Sequence, residues 1–203
     1  TPVTAVTCMD DWQKQGRQTF WYDCKNYRVS FYTDRGHVCI RDMFLFDERH
    51  DERYWDTVAT GNTGIYDAFP FVDGYRWSGH DTFCSIEWVD AKGQPLPGRI
   101  ESVGQESETV LVATLSAGQK KVQVRCDEEG VSLSNLPDGA SLRMAYDTTA
   151  DTEITDVCSN RVDYRHDGCR YSLLVEGGTV LATENGYKIQ INAPTVRLVP
   201  ART

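Results

Sequence analysis

Aromatic and ionisable side chains able to bind a polar ligand are concentrated in two neighbouring stretches of the sequence. The first, 47–56, holds five acidic residues, two arginines, one histidine and two aromatic rings. Carboxylates and guanidinium groups bind hydroxyls in pairs, and an aromatic ring stacks on an apolar face. A binding site here would use His50, Arg53, Tyr54 and Trp55. The alternative is a solvated segment laced by salt bridges, since Glu48/Glu52 and Arg49/Arg53 each share one face of a helix.

The second stretch, 66–88, interleaves seven aromatic residues with acids, Arg76 and His80. Sugars present apolar C–H faces ringed by hydroxyls, so a sugar site needs a flat ring flanked by polar groups. This composition predicts ligand contacts from the polar, glycine-flanked part of the stretch: Tyr75, Arg76, Trp77, His80 and Asp81. The phenylalanines of the stretch are expected in the core instead: Phe69, Phe71 and Phe83.

No metal is predicted at this second stretch. Gly74, His80, Glu87 and Gly93 resemble part of the first cupin metal motif, but Thr82 stands where that motif needs a second histidine. A transition-metal site needs about three such ligands. No cofactor is therefore expected, apart from one calcium alternative further along the chain.

That calcium alternative rests on four acids able to supply oxygen ligands: Asp147, Asp151, Glu153 and Asp156. No glycine-punctuated loop fixes their geometry, so a solvated acidic turn is the favoured interpretation. Cys158, His166 and Cys169 follow without a fourth ligand nearby, and are assigned structural roles.

Catalytic residues cannot be assigned from this sequence. It contains no nucleophile elbow, zinc-protease, P-loop or dinucleotide-binding motif. A glycosidase or lyase needs only two carboxylates, or a base and an arginine, brought together in space. Many acids of the two stretches are eligible, so none is singled out: Asp47, Glu48, Asp51, Asp67, Asp73, Asp81 and Glu87.

Composition excludes several classes of protein. The chain has 203 residues, a formal net charge of −9 and 40% hydrophobic residues. Its 22 aromatic residues argue against a disordered tail. Nucleic acid is not an expected partner because binding phosphate needs a basic face. A membrane is not expected either, because no run of about 18 apolar residues occurs.

The hydrophobic pattern predicts an all-β fold. Period-2 runs bounded by turn residues recur along the chain, and the predicted strands are 27–33, 37–46, 83–89, 109–115, 119–126, 131–134, 141–146 and 187–191. Such a rhythm is typical of a two-sheet antiparallel β-sandwich, jelly-roll-like or supersandwich-like, with at most one or two short helices. A helix over 47–58 is one such candidate, and 57–79 is expected to be an irregular loop.

The chain is expected to be one domain over 1–203, aromatic-rich in 12–88 and a plain β-meander in 98–199. It begins with Thr, which is compatible with excision from a larger protein.

Seven cysteines without a CxxC spacing favour buried, reduced thiols over disulfides. Localisation stays open between a secreted or periplasmic and a cytoplasmic protein.

In composition and strand rhythm the chain resembles β-sandwich domains attached to bacterial polysaccharide-degrading enzymes. That resemblance implies a carbohydrate-recognising accessory module. Two alternatives remain open: a glycoside hydrolase or polysaccharide lyase with its site in 47–88, and a non-catalytic structural or interaction subunit that binds a partner domain. The expected ligand is a carbohydrate or another small polar molecule.

Overall fold

The computed structural model describes residues 2–50, 56–61, 68–80, 83–146 and 152–202. Within these residues the chain forms 17 β-strands and no helix. The strands make two antiparallel sheets that pack face to face, so the expected two-sheet antiparallel β-sandwich is confirmed. None of the described residues belongs to a helix long and apolar enough to cross a membrane.

Sheet I contains most of the strands from the N-terminal half of the chain. In spatial order along its main path these are β1 (Thr4–Cys8), β2 (Gln18–Asp23), β3 (Tyr27–Asp34), β4 (His37–Leu45), β6 (Ser85–Val89), β11 (Ser141–Ala145), β16 (Gly186–Ile191) and β15 (Gly178–Thr183). A further strand, β5 (Phe69–Asp73), pairs with the second half of β4.

Sheet II comes from the C-terminal half. Its spatial order is β12 (Thr152–Cys158), β13 (Arg161–His166), β14 (Cys169–Glu176), β17 (Thr195–Arg202), β10 (Gly130–Ser134), β9 (Lys120–Asp127), β8 (Val110–Ala117) and β7 (Ile100–Ser107). β17 therefore joins two antiparallel groups of strands into one sheet.

Alternating side chains explain why these segments pair as sheets over a core. In β16, Tyr187 and Ile189 are buried, whereas Lys188 is half-buried and Gln190 is exposed. Successive side chains of a strand point to opposite faces, so one face meets the core and the other meets solvent. All eight strands predicted from this alternation are present, with ends shifted by no more than two residues.

The core between the sheets is rich in aromatic rings. Phe20 and Phe31 of sheet I stack with their centroids 4.5 Å apart. Tyr164 and Tyr171 of sheet II stack at 5.3 Å, and the Tyr171 hydroxyl donates a 2.6 Å hydrogen bond to the carbonyl of Pro70 in β5. These tyrosines bury their rings while their hydroxyls reach backbone acceptors of the opposite sheet. The hydrogen bond therefore fixes β5 against sheet II.

Two expectations about the region 47–79 need correction. The predicted loop contains β5, which is buried along its whole length and therefore shows no alternation. The helix expected over 47–58 does not occur in its described part. Residues 47–50 form a turn in which the His50 amide donates to the Asp47 carbonyl at 3.0 Å. The middle of that segment, 51–55, lies outside the described residues.

Candidate functional site

The first predicted ligand-binding stretch is only partly visible. Arg53, Tyr54 and Trp55 lie outside the described residues. His50 is half-buried, and its ring centroid lies 4.9 Å from that of the core residue Phe69. The imidazole therefore packs against the edge of the core.

At the start of this stretch, Asp47 is held by basic groups. Its carboxylate accepts hydrogen bonds from the backbone and the side chain of Arg49, and these bonds lower the pKa of Asp47 to about 2. Arg202 approaches the same carboxylate at 4.0 Å and donates to the Phe46 carbonyl at 2.7 Å. These contacts tie the end of β17 to the segment that follows β4.

The second predicted stretch does not bring together its two predicted ligand-binding rings, Tyr75 and Trp77. Trp77 is only 2% exposed and packs against Tyr146 at 6.1 Å, so its ring has no face free for a ligand. Tyr75, two residues earlier, is 82% exposed. Because one ring is in the core and the other is in solvent, they do not form a common stacking platform.

The polar members of this stretch also differ in their surroundings. Arg76 donates through Nε to Asp73 at 2.6 Å, so the guanidinium is committed to the turn that follows β5. His80 is exposed. Asp81 lies outside the described residues.

A pair of buried aspartates fixes this turn to sheet I. Asp42 and Asp73 face each other across β4 and β5, and both are almost completely buried. Asp42 accepts from the Ser30 hydroxyl at 2.9 Å and from the Gly74 amide at 3.1 Å. Asp73 accepts from the Tyr75 and Arg76 amides. Burial raises the pKa of Asp42, and the nearby Arg41 partly opposes that shift.

The outer face of sheet I instead combines aromatic and charged groups in one row. Cross-strand pairing aligns Tyr32, Cys39, Glu87 and Arg143 across β3, β4, β6 and β11; we call these four residues the outer row. Phe31, the neighbour of Tyr32 in β3, is buried in the core, so Tyr32 and the rest of the row face outward.

An aromatic cluster occupies the β3 end of the outer row. The rings of Tyr32 and Phe83 lie 6.3 Å apart with their planes tilted by 41°. The guanidinium carbon of Arg41 lies 5.5 Å from the centroid of the Tyr32 ring, within cation–π range. Phe83 is 45% exposed, so the expectation that it belongs to the core is wrong. Phe69 and Phe71 are in the core, as expected.

An ion pair occupies the β6–β11 end of the outer row. Arg143 donates to the Glu87 carboxylate at 2.8 Å and to the Gly93 carbonyl at 2.9 Å. Both side chains are partly exposed. The outer row and the adjacent Arg41 therefore present an aromatic group, a carboxylate and two guanidinium groups on one sheet surface.

A second cation–π stack lies on the same face towards β2. Arg28 stands between two rings, with its guanidinium carbon 5.1 Å from the Trp21 centroid and 5.0 Å from the Phe44 centroid. Phe44 is buried, whereas Trp21 is half-buried. This stack extends the aromatic character of the outer face beyond Tyr32.

Sequence reasoning included Glu87 among seven eligible acids without singling it out, and it missed Tyr32, Arg41 and Arg143. The strand pattern could have pointed to Tyr32. In the predicted strand, Tyr32 lies two and four residues after Ser30 and Arg28, so all three side chains are on the same, outward face. The contact between Tyr32 and Phe83 depends on the order of the strands in the sheet, and that order cannot be read from the sequence of a single strand.

The acids of the calcium alternative do not converge in the described structure. Asp147 and Asp151 lie outside the described residues. Glu153 pairs with Arg165 on the neighbouring strand. Asp156 instead groups with Cys158 and Asp163, whose ligand atoms all lie within 4.8 Å of one another. Arg161 already supplies a positive charge there, 2.8 Å from Asp163.

All seven cysteines are free thiols in the structure. Cys24, Cys39, Cys84 and Cys126 are buried. Burial raises the pKa of both Cys39 and Cys84 to about 12. Cys24, Cys84 and Cys126 therefore serve as small apolar groups of the core, whereas Cys39 is buried within the outer row.

Comparison with known proteins identifies the fold but no family. No protein family and no curated protein matches the chain. Its fold is similar to the structure of YidC from Thermotoga maritima, with a TM-score of 0.50, 11% identity, and coverage of 100% of this chain and 52% of that chain. It is also similar to the structure of an active YidC insertase with its first transmembrane domain resolved, with a TM-score of 0.53, 11% identity, and coverage of 100% and 41%. The chain thus spans about half the length, or less, of these solved chains.

Proposed function

We propose that the protein is a non-catalytic carbohydrate-recognising domain whose ligand lies on the outer face of sheet I. The observation that supports this proposal is that Tyr32, Phe83 and Arg41 cluster on the same sheet face as the Glu87–Arg143 ion pair. This is the combination of ring and paired polar groups that the sequence predicts, formed by a different set of residues.

The spacing along the outer row suits a sugar. Tyr32 and Glu87 are two strands apart, which corresponds to about 10 Å at the usual strand separation. A pyranose could stack on Phe83 while its hydroxyls bond to Arg41 and to the carboxylate of Glu87. Each of these planar charged groups can bind two hydroxyls at once.

The surrounding carboxylates favour binding over hydrolysis. A glycosidase needs two carboxyl groups that flank the scissile bond. Glu87 is the carboxylate of the outer row, and it is paired with Arg143. The Asp42–Asp73 pair is buried and accepts hydrogen bonds from the chain's own donors. We therefore place neither pair in a catalytic role.

An accessory role within a longer protein is part of the proposal. The solved chains that share this fold are considerably longer than this one. A sheet face that binds a ligand without transforming it suits a module that positions another domain.

The test is a panel of neutral and acidic oligosaccharides, titrated against the wild-type chain and read by tryptophan fluorescence and calorimetry. Phe83→Ala should weaken binding of a responsive sugar about three- to tenfold, because a stacking contact is lost. Leu181→Ala is the matched control, since Leu181 is 41% exposed and lies on the same sheet, several strands away.

Each outcome has a definite meaning. Saturable binding that Phe83→Ala weakens and Leu181→Ala preserves supports the proposal. Cleavage of the bound sugar, seen by product analysis, replaces it with the hydrolase or lyase alternative. A folded protein that binds no sugar in the panel overturns it and favours the interaction subunit.

A further inference from the structure

The outer face of sheet II carries two arginines directly opposite each other. Arg165 of β13 and Arg170 of β14 are cross-strand partners. Side chains in such a pair have Cβ atoms about 5 Å apart, and like charges at this distance destabilise a sheet. Both arginines line a cleft of about 500 Å³ between β12, β13 and β14.

Among the described residues, only one of the two charges is balanced by an ion pair. Glu153, opposite Arg165 on β12, forms an ion pair with that guanidinium. Arg170 is exposed and makes no ion pair within the described residues. The row Glu153–Arg165–Arg170 therefore has one positive charge in excess, although the whole chain is acidic.

Arg161, Asp163 and Ser172 line the same cleft, and their polar groups already pair with one another. Arg161 pairs with Asp163 at 2.8 Å. Ser172 is 1% exposed, and its hydroxyl donates to Asp163 at 2.6 Å. These bonds hold Asp163 in place and leave the guanidinium groups of Arg165 and Arg170 as the cationic part of the cleft.

We propose that this cleft binds a small oxyanion, a carboxylate or a phosphate group, between Arg165 and Arg170. An anion there would remove the like-charge repulsion, and each guanidinium could donate two parallel hydrogen bonds to its oxygens. The site lies on the sheet opposite to the proposed sugar surface, so it is a separate property of the molecule.

The experiment is a titration of the folded protein with inorganic phosphate and, separately, with acetate, at constant ionic strength and pH 7. Backbone amide NMR signals report the position of binding. We expect saturable shifts confined to the cleft strands β12, β13 and β14. A response to acetate alone identifies a carboxylate site, and a response to phosphate alone identifies a phosphate site.

Three variants test the geometry. Arg170→Gln should raise the apparent Kd about tenfold or more, because charge-assisted hydrogen bonds are lost. Arg99→Gln removes the same charge from an exposed position next to β7, at the far edge of the same sheet, and should leave the Kd unchanged. Glu153→Gln removes the competing carboxylate, so it should lower the Kd.

The responses of the three variants either support or overturn the oxyanion site. Weakening by Arg170→Gln together with tightening by Glu153→Gln supports the site, since simple loss of folding cannot tighten binding. Shifts that never saturate, or equal weakening by Arg99→Gln and Arg170→Gln, overturn it and indicate a general response to ions.

Discussion

Asp42 and Asp73 lie directly opposite each other on β4 and β5, and both carboxyl groups are buried. Cross-strand partners of the same charge normally weaken a sheet. Here the two carboxyl groups accept hydrogen bonds from the turn that follows β5, including the amides of Gly74 and Arg76. The hydrogen bonds attach residues 73–78 to the sheet, and they offset the repulsion between the two carboxyl groups.

This arrangement predicts a pH dependence of stability. Burial raises the pKa of Asp42 above that of an ordinary aspartate, so the folded state binds this proton more tightly than the unfolded state does. The resulting stabilisation is present at low pH and is lost as the pH rises through the raised pKa. Asp42→Asn cannot titrate, so the stability of the wild type relative to this variant should fall from pH 4 upward.

Urea unfolding of both proteins between pH 4 and pH 8 measures that difference. Asp138→Asn, which removes an exposed carboxylate in a turn, is the control and should keep the wild-type slope. A difference between wild type and Asp42→Asn that does not change with pH would contradict the assignment.

Much of this fold can be predicted from the sequence because apolar and polar residues alternate along many of its β-strands. The runs that became β9 and β16 each alternate between buried and more exposed side chains. β5 escaped prediction because Phe69, Phe71 and their neighbours are buried on both faces, which leaves no alternation to detect. Strand type is thus local information, whereas burial on both faces depends on the rest of the fold.

The candidate site was harder to predict because it depends on strand order. Glu87 and Arg143 are 56 residues apart and meet because β6 pairs with β11. Trp77 stands among glycines and polar residues, which suggested an exposed ring, yet the anchored turn carries it into the core. No local pattern distinguishes a turn that folds over a sheet from one that extends into solvent.

The burial of Trp77 leads to a second prediction. Trp77→Ala should lower the free energy of unfolding by about 3–5 kcal/mol, because a large core side chain is replaced by a cavity. Tyr75→Ala, two residues away and 82% exposed, should change it by no more than about 0.5 kcal/mol. Guanidinium unfolding curves of the three proteins measure both values. Similar effects of the two substitutions would place Trp77 outside the core and restore it as a ligand residue.

The cysteines give a third prediction, on thiol reactivity. The pKa of about 12 at Cys39 and Cys84 reduces the thiolate fraction about a thousandfold relative to an ordinary thiol, and burial also blocks access to them. Cys8 is exposed and should react first with a disulfide reagent. In the native protein, titration at pH 8 should detect no more than the three thiols that are not buried, and unfolding should release all seven. Cys8→Ser should remove the fastest phase and leave the slow ones. If the four buried thiols of the native protein reacted as fast as those of the unfolded chain, the core would have to open far more readily than its packing implies.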